Sequence, residues 1–477
     1  MEVIADNSTS DRLRGALQQN RRMAHYSPAL LTDLYLLTMA QAYLDEGMTG
    51  DAVFSLFVRR LPERRNYLLA CGLDDVLAFL ETFRFDAAAL AYVESLGRFT
   101  RGFVRRLRDL SFTGDVFAVP EGTPVFANEP ILEIVAPIIE AQIVETLVMN
   151  QVHVQTVLAS KASRIVEAAQ GREVVDFGLR RTHGTDAGLK GARAFHIAGV
   201  DATSNLAAGQ AYGLRVAGTM AHSYIQAHDD EYDAFRAFAR QYPDTVLLVD
   251  TYDTLAGVQH VIDLARALGS DFRVSAVRLD SGDLLDLSRR ARRMLDDAGL
   301  RSVGIFASSD LDEDGVAELM SAGAPIDGFG IGTQMCVSPD APSLDIAYKL
   351  VEYAGRGRIK LSAGKRVLPG RKQVFRIERD GIAERDVIGR SDERSPGRPL
   401  LQRVMSGGTR LRDGRATLND ARDRRASELS RLPGQVRAIA PADPPYPVDI
   451  SETLAADAEA LRRAHRHDRV GIPIASR

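Results

Sequence analysis

The chain has 477 residues, of which 45% are hydrophobic and 26% are charged, and its formal net charge is −4. This composition is typical of a folded globular protein, and the length predicts at least two domains. The small negative charge provides no general attraction to nucleic acid or to anionic lipid, so we expect neither as a partner.

The beginning of the chain and its cysteines bear on cellular location. Residues 1–25 are polar and lack the apolar segment of a secretory signal, and we expect them to be poorly ordered. No apolar run in the sequence reaches the length that spans a membrane. Cys71 and Cys336 lie far apart and fit no metal-ligand spacing. These features predict reduced thiols and a cytoplasmic protein.

The first domain is predicted to span residues 26–140. Helical spacing of apolar residues predicts helices at 33–44 and 71–83, and the apolar run at 52–58 predicts a strand between them. Residues 114–135 form short apolar runs that are interrupted by prolines and glycines. This pattern is typical of a compact antiparallel subdomain.

A regular alternation of strands and helices follows a long predicted helix that begins at residue 140. Such alternation predicts parallel strands joined by right-handed crossovers. Eight units of this kind would close a barrel, so we predict an α/β fold with an irregular (β/α)8-type barrel over residues 141–355. A doubly wound open sheet is the alternative. The predicted strands are 173–177, 197–200, 215–218, 246–250, 274–280, 303–307, 326–330 and 346–352.

Residues 356–477 are predicted to form a separate C-terminal segment. The chain is basic just after residue 356, and it is polar and arginine-rich from about residue 384. A proline-rich patch at 441–447 precedes a final helix that Ser451 is predicted to cap. We expect this segment to pack on the N-terminal domain.

Residues with binding chemistry follow several of the predicted barrel strands, whose carboxyl ends converge on one pocket. Phe177 follows the first of these strands and precedes Arg180 and Arg181. An aromatic face beside fixed positive charge suits a flat anionic ring next to phosphate groups. The alternative is a core phenylalanine with solvated arginines. Loops at strand ends often carry function, which favours binding.

His222 follows the strand predicted at 215–218, and its small neighbours leave room beside the imidazole ring. We therefore predict that His222 is a nucleophile, although a lone histidine is more often structural. Asp250 ends the strand predicted at 246–250. It is predicted to fix the tautomer of the imidazole, and its alternative role is to cap the next helix.

Arg278 and Asp280 lie two residues apart in a predicted strand, so their side chains share a face. The guanidinium would hold an anionic ring, and the carboxylate would hold ribose or magnesium. The alternative is a buried ion pair without a substrate. Small residues after the next two strands would let backbone amides approach a phosphate. These residues are Ser309, Gly330, Gly332 and Thr333.

These segments resemble the nicotinate phosphoribosyltransferase family, in order and without large gaps, over residues 26–376. The resemblance depends most on Phe177-Gly-Leu-Arg-Arg181, Gly218-Thr-Met-Ala-His-Ser223 and Arg278-Leu-Asp-Ser-Gly282. Further matching segments are 32–39, 54–62, 66–67, 199–205, 330–333 and 368–374.

The resemblance implies a fold and a reaction. The fold is an N-terminal α/β domain with a small β-sandwich plus the irregular barrel, assembled as a homodimer with shared active sites. The reaction joins nicotinate and 5-phosphoribosyl 1-pyrophosphate (PRPP) to give nicotinate mononucleotide and pyrophosphate, a step of NAD biosynthesis coupled to ATP hydrolysis. Mg2+ is expected with PRPP and ATP, without a dedicated metal site or a tightly bound organic cofactor.

The resemblance also implies roles for individual residues. His222 matches the histidine that ATP phosphorylates. Tyr35 of one protomer and Phe177 of the other would sandwich the pyridine ring, and Asp33 would reach the partner's barrel beside Tyr35. Asp201 matches a position near the ring. The candidates for binding anionic groups are Arg180, Arg278 and Lys365.

Several other functions stay open at this point. Nicotinamide in place of nicotinate is the nearest alternative, and quinolinate is less favoured because that family is shorter and lacks the histidine turn. A barrel lyase or isomerase that forms a Schiff base would need a lysine that ends a barrel strand, and Lys349 lies inside the strand predicted at 346–352. A non-catalytic, metabolite-binding barrel is the remaining alternative.

Overall fold

The structure is a computed structural model that describes residues 27–362 and 367–470, with side chains described as far as residue 465. The predicted poorly ordered segment, 1–25, lies outside the described residues. None of the helices in the described part is both long enough and apolar enough to cross a membrane.

Helices and strands alternate through most of the chain. The α-helices are α1 (Leu34–Asp45), α2 (Leu73–Thr82), α3 (Ala87–Ser95), α4 (Arg101–Arg108), α5 (Ile138–Ile143), α6 (Glu145–Ala168), α7 (Thr185–Ile197), α8 (Leu206–Tyr212), α9 (His222–Gln226), α10 (Glu231–Gln241), α11 (Thr254–Leu268), α12 (Leu284–Asp297), α13 (Glu313–Ser321), α14 (Thr333–Val337), α15 (Leu418–Ser430), α16 (Gly434–Arg437) and α17 (Glu452–Val470). The 3-10 helices are Pro28–Leu30, Leu179–Arg181, Gly269–Asp271 and Arg412–Gly414.

The strands vary from two to nine residues. They are β1 (Asp51–Val58), β2 (Leu68–Leu69), β3 (Asp115–Ala118), β4 (Pro124–Val125), β5 (Pro130–Pro137), β6 (Glu173–Asp176), β7 (Ala202–Thr203), β8 (Val246–Leu248), β9 (Ala276–Leu279), β10 (Gly304–Ser309), β11 (Gly328–Ile331), β12 (Ile346–Tyr353), β13 (Arg356–Gly357), β14 (Lys372–Arg379), β15 (Ile382–Arg390), β16 (Arg398–Pro399), β17 (Gln402–Ser406), β18 (Thr409–Arg410) and β19 (Val448–Ile450).

A seven-stranded antiparallel sheet, in the order β13-β12-β1-β5-β3-β17-β18, gathers strands from both ends of the chain. Its β1 is buried at every position but the first, which indicates that the sheet is covered on both faces. A smaller four-stranded sheet, in the order β16-β14-β15-β19, belongs to the C-terminal segment. Because β17 and β18 lie beside β3 in the seven-stranded sheet, the C-terminal segment completes the sheet that the N-terminal strands begin.

A six-stranded parallel sheet, in the order β7-β6-β11-β10-β9-β8, forms the second half of the molecule. Helices connect most of its strands, as expected for parallel pairing. Because the strands run in the same direction, their carboxyl ends lie along one edge of the sheet. We call this edge, which begins after Asp176, Leu248, Leu279, Ser309 and Ile331, the carboxyl edge. The predicted α/β class is confirmed, and the parallel sheet is a curled half-barrel sheet of six strands where eight barrel strands were predicted.

Three of the eight predicted barrel strands differ from the structure. The strand predicted at 197–200 is wrong, because α7 continues to Ile197 and Gly199, with φ of +105°, ends it in a turn. The segment predicted at 215–218 makes only an isolated parallel bridge, between Val216 and Thr203. The strand predicted at 346–352 is present as β12, but it pairs antiparallel with β1, where Tyr348 stacks on Phe54 with ring centroids 4.8 Å apart.

The long helix α6 links the two halves of the molecule. Lys161 and Arg164 on this helix are buried and form ion pairs with Glu313 at the start of α13. Lys161 also bonds Asp340, at 2.9 Å, and the pKa of Asp340 is lowered because hydrogen bonds from Arg65 and Lys161 outweigh its burial. These pairs hold the parallel sheet against the N-terminal half.

Candidate active site

Phe177 is the first residue after β6, and its ring lies on the carboxyl edge. Its backbone N–H donates to the carbonyl of Ile331 at 2.8 Å, which fixes the turn against β11. The ring centroid lies 5.9 Å from the guanidinium carbon of Arg278 and 6.2 Å from the ring centroid of Phe306. A Cβ atom at Gly330 would approach the Phe177 ring to 2.4 Å, so only glycine fits there. The predicted phenylalanine, arginine and glycine therefore meet at one point.

Asp176 supports this turn, although the sequence analysis assigned it no role. It is 2% exposed, and its carboxylate accepts hydrogen bonds at 2.7 Å from the Gly178 N–H and from the Thr203 hydroxyl. Burial raises the pKa of Asp176. Its position in the sequence could have identified it, because Asp176 ends an apolar strand just as Asp250 and Asp280 do.

Arg278 is a cation at the carboxyl edge with few hydrogen-bond partners. Its Nη1 donates to the Thr219 hydroxyl at 2.5 Å, and its Nε is buried without a hydrogen-bond partner among the described residues. Burial lowers the pKa of Arg278, and Arg180 acts in the same direction, whereas Asp280 and Asp250 oppose the shift. The predicted alternative, a direct buried ion pair with Asp280, does not appear among the salt bridges of the described residues. The arrangement suits an anionic ligand.

His222 begins the short helix α9 and lies half-exposed near the carboxyl edge. Its Nδ1 lies 3.1 Å from the Thr251 hydroxyl, and its Nε2 lies 3.6 Å from Oδ2 of Asp280. The contact predicted between Asp250 and the imidazole is not formed. Asp250 instead accepts hydrogen bonds from the Asp280 N–H, at 3.0 Å, and the Ser281 hydroxyl, at 2.6 Å. The carboxylate that faces the imidazole is therefore Asp280, and Thr251 is a contact that the sequence did not predict.

Asp250 does not cap the following helix either. The N-cap of α11 is Asp253, whose side chain accepts from the Ala256 N–H at 2.8 Å. One carboxylate oxygen of Asp250, Oδ1, is buried without a hydrogen-bond partner among the described residues. This oxygen remains available to a ligand.

The ends of β10 and β11 carry the predicted phosphate-binding residues. Ser309 is exposed and has φ of +137°, a conformation that non-glycine residues rarely adopt. Its neighbour Ser308 is buried and donates its hydroxyl hydrogen bond to Asp280. Gly332 precedes α14, which begins at Thr333, and a Cβ at Gly332 would lie 3.5 Å from the Phe177 carbonyl. Arg180 is exposed in the turn after Phe177.

Asp33 and Tyr35 lie elsewhere, at the start of α1. Asp33 accepts a hydrogen bond from the Thr146 hydroxyl at 2.6 Å, and the Tyr35 hydroxyl lies 3.5 Å from a carboxylate oxygen of Glu145. Both partners belong to the first turn of α6, and Tyr35 is 50% exposed. Within the described chain these contacts are separate from the carboxyl edge. Lys365, the remaining predicted anion-binding residue, lies outside the described residues.

Asp201 does not lie at the carboxyl edge. Its carboxylate accepts hydrogen bonds from the backbone N–H of Val174, at 2.9 Å, and from Arg422, at 2.8 Å. Val174 is the second residue of β6, so Asp201 sits near the amino end of that strand. The predicted position beside the pyridine ring is therefore not supported by the geometry, and the residue joins α15 to the parallel sheet.

The structure also bears on two other kinds of site, a Schiff-base lysine and a metal site. Lys349 lies within β12 of the antiparallel sheet, which removes the position that a Schiff-base barrel enzyme would need. Among the described residues no group of three or more His, Cys, Asp or Glu side chains could hold a metal ion.

A separate cavity of about 730 Å³ lies between β1 and the C-terminal segment. Its lining includes Phe57, Phe126 and Tyr446 together with Arg59. Arg59 is already paired with Asp345 at 2.9 Å, so its guanidinium is less available to an anionic ligand than that of Arg278. The carboxyl edge remains the candidate active site.

Comparisons with known proteins identify the family of the chain. The chain matches the family model of the nicotinate phosphoribosyltransferase N-terminal domain over residues 30–153 and the nicotinate phosphoribosyltransferase family model over residues 172–368. It is 55% identical over 436 residues to nicotinate phosphoribosyltransferase pncB2 of Mycobacterium tuberculosis, covering 91% of this chain and 94% of that protein. It is 42% identical over 377 residues to the nicotinate phosphoribosyltransferase of Bacillus subtilis, covering 77% of each chain.

Solved structures show the same relationship. Human nicotinic acid phosphoribosyltransferase superposes with a TM-score of 0.81 at 29% identity, covering 90% of this chain and 99% of that chain. Nicotinate-nucleotide pyrophosphorylase from Pyrococcus furiosus, with a TM-score of 0.70 at 24% identity over 84% of this chain and 95% of that chain, shares the fold. On the two family models and these sequence identities, the chain belongs to the nicotinate phosphoribosyltransferase family.

Proposed function

We propose that the carboxyl edge is where this enzyme converts nicotinate and PRPP to nicotinate mononucleotide and pyrophosphate. The supporting observation is the Arg278 guanidinium, which lies 5.9 Å from the Phe177 ring centroid and has a buried Nε without a protein partner in the described part of the chain. The aromatic face would stack on the pyridine ring, and the guanidinium would bind its carboxylate. A free cation at this position favours nicotinate over uncharged nicotinamide.

The sugar end of the reaction needs a different environment. Displacement at the anomeric carbon passes through an oxocarbenium-like state while negative charge builds on the departing pyrophosphate, so an enzyme must position the ring and stabilise the anion. The exposed Arg180 and the backbone amides after Ser309 and Gly330 are the candidates for this second role. Lys365 is proposed to join them on the strength of the family resemblance.

We also propose that ATP phosphorylates His222. In this step a ring nitrogen attacks the γ-phosphorus, the bond to the bridging oxygen breaks, and ADP leaves with the electron pair. Asp280, 3.6 Å from Nε2, would stabilise the positive charge that the ring acquires. Phosphorylation would change the affinities for substrates and products to different extents, which is what coupling requires.

Mg2+ is expected to accompany PRPP and ATP. Such ions are usually held by one or two carboxylates together with the substrate phosphates. The unpartnered Oδ1 of Asp250 fits this requirement. The ion would neutralise phosphate charge there. An ion bound in this way does not require a complete set of protein ligands.

A homodimer with shared active sites is the proposed assembly. Leu31, Leu34 and Tyr35 form an exposed apolar group at the start of α1, with Asp33 among them. A second copy of the chain would cover this group and bring Tyr35 and Asp33 to the partner's carboxyl edge. This arrangement would give the pyridine ring its second aromatic face.

The proposal extends to the shape of the parallel sheet and to the cellular location. An irregular barrel would extend the six-stranded sheet, beginning with the Thr203–Val216 bridge. A cytoplasmic location is supported by the two cysteines, Cys71 and Cys336, which are buried and unpaired.

The test of ATP coupling is phosphate mapping. Wild type, His222→Gln and the control His183→Gln, whose imidazole is also exposed on a neighbouring loop, would be incubated with γ-labelled ATP. We expect an acid-labile phosphate on His222 in wild type and control and none in His222→Gln, with ATP consumption per product lost only in that variant. Label that persists in His222→Gln would contradict the assignment. Competition between nicotinate and nicotinamide in the same assay would check the substrate.

A further inference from the structure

We propose that Ser308 is a positioning residue for His222: its hydroxyl orients the Asp280 carboxylate so that the other oxygen faces the imidazole. This inference rests on the proposed phosphorylation of His222 and names a residue through which that site works. Ser308 lies in β10, on a strand adjacent to the one that precedes Asp280. It does not touch the imidazole itself.

The two oxygens of the Asp280 carboxylate have different surroundings. Oδ1 accepts a hydrogen bond from the Ser308 hydroxyl, and Oδ2 lies 3.6 Å from Nε2 of His222. Ser308 is 3% exposed, so its hydroxyl is shielded from water and its bond to a charged acceptor is worth more than an exposed one. With Oδ1 held in this way, rotation of the carboxylate away from the imidazole would break a buried hydrogen bond.

The backbone of Asp280 is fixed by a different residue. Its N–H donates to Oδ2 of Asp250, at 3.0 Å, and the Ser281 hydroxyl donates to the same oxygen at 2.6 Å. Asp250 therefore positions the main chain, and Ser308 positions the side chain. Among the hydrogen bonds of the described residues, the one from Ser308 is the only one that reaches the Asp280 carboxylate.

The consequence concerns the tautomer of His222. A carboxylate that faces Nε2 favours the form with the proton on that nitrogen. Nδ1 is then left with a lone pair that can accept a hydrogen bond from Thr251, 3.1 Å away. Ser308 would thus help to maintain one neutral tautomer and one nucleophilic nitrogen. Without its hydroxyl, the carboxylate would rotate and both tautomers would be populated.

The experiment compares Ser308→Ala, Ser308→Thr and Ser288→Ala. Ser308→Thr keeps the hydroxyl. Ser288→Ala removes an equally buried hydroxyl that bonds only a backbone carbonyl of its own helix, at 3.1 Å. Nitrogen-15 chemical shifts of labelled histidine, assigned with His222→Gln, report which ring nitrogen carries the proton, and labelled ATP gives the rate of histidine phosphorylation.

We expect a mixed tautomer signal for His222 in Ser308→Ala and a phosphorylation rate lowered roughly tenfold, as loss of one hydrogen bond to a charged group predicts. Ser308→Thr and Ser288→Ala should keep the wild-type signal. An unchanged tautomer in Ser308→Ala, or an equal change in Ser308→Thr, would overturn the proposal. If the wild type forms no phosphohistidine, the coupling proposed above is wrong, while the tautomer comparison still decides the role of Ser308.

Discussion

Arg193 in the interior and the partly buried Arg278 at the carboxyl edge differ in the partners of their guanidinium groups. Arg193 on α7 donates to both carboxylate oxygens of Glu121, at 2.8 and 2.6 Å, and its side chain is 4% exposed. Burial opposes its charge, but Glu121 outweighs burial and raises the pKa of Arg193 well above its ordinary value. Arg278 donates to the neutral hydroxyl of Thr219, and burial lowers its pKa. The first cation is neutralised within the protein, whereas the second has no ion pair among the described residues.

Carboxylates show the same difference between interior and edge. Glu313 is fully buried, and its pKa is lowered because Lys161 and Arg164 outweigh the effect of burial. Asp250 at the carboxyl edge keeps one buried oxygen without a partner among the described residues. An unsatisfied buried polar atom costs about 1–3 kcal/mol, and the proposed ion would offset this cost at Asp250.

The largest expected effect is on stability, in Arg193→Met. This change leaves the Glu121 carboxylate buried without its cation, and the free energy of unfolding should fall by about 3–5 kcal/mol. Urea denaturation followed by circular dichroism measures the loss. Arg278→Met is the matched control and should lose less than about 1 kcal/mol, because no direct ion pair is broken. Equal losses of stability in the two variants would contradict the expectation that only Arg193 is held by a buried ion pair.

The next effect is on catalysis, in the same Arg278→Met variant. The kcat/KM for nicotinate should fall roughly 100-fold, since a hydrogen bond to a charged group contributes about 1.5–3 kcal/mol. Arg278→Lys should fall between this variant and wild type, because it keeps the charge but loses the planar guanidinium. Steady-state kinetics with nicotinate and nicotinamide would show reduced preference for the acid. An unchanged kcat/KM would exclude Arg278 from the binding site.

A smaller effect is expected in the pH dependence of stability. Burial alone would raise the pKa of Glu121, but Arg193 and the N–H groups of Gly72 and Leu73 hold it below its ordinary value of 4.5. The folded state thus binds fewer protons here than the unfolded state. The ion pair contributes stability above pH 4.5 that is lost as the pH falls through the lowered pKa.

Glu121→Gln tests this sign. Its free energy of unfolding should decline less steeply than that of wild type when the pH is lowered from 5 to 3. Denaturation curves at matched ionic strength give the two slopes. Parallel slopes would mean that Glu121 titrates alike in both states.

The parallel part of the fold was largely predictable because its signal is local. The apolar runs that became β8, β9, β10 and β11 each precede a helix with a clear N-cap or a glycine turn. The sequence of a strand does not show which other strand it pairs with. For this reason β12 was assigned to the parallel barrel and not to the antiparallel sheet. The helix that extends to Ile197 was missed since its apolar end reads equally well as a short strand.

The site was predictable in its composition and less so in its contacts. Phe177, His222 and Arg278 were identified because residues at the carboxyl ends of parallel strands converge on one pocket. Asp250 and Asp280 both lie just past the end of a strand, where side chains no longer alternate between the two faces of the sheet. The sequence therefore does not show which of the two carboxylates points toward the imidazole. For this reason Asp250 was assigned the role that the geometry gives to Asp280.

The smallest expected effect is that of Asp201→Asn, which tests the amino end of β6 against the carboxyl edge. Its partly exposed ion pair with Arg422 should contribute no more than about 1 kcal/mol to the free energy of unfolding, and the KM for nicotinate should change less than about twofold. Arg422→Met should lose more, because its guanidinium also donates to the backbone carbonyls of His196, Gly199 and Val200, and the double variant should lose about as much as Arg422→Met alone. A large rise in KM without a change in stability would instead support a contact between Asp201 and the substrate. Because stability and KM are measured on the same purified Asp201→Asn protein, the pair of values decides at which end of the sheet Asp201 acts.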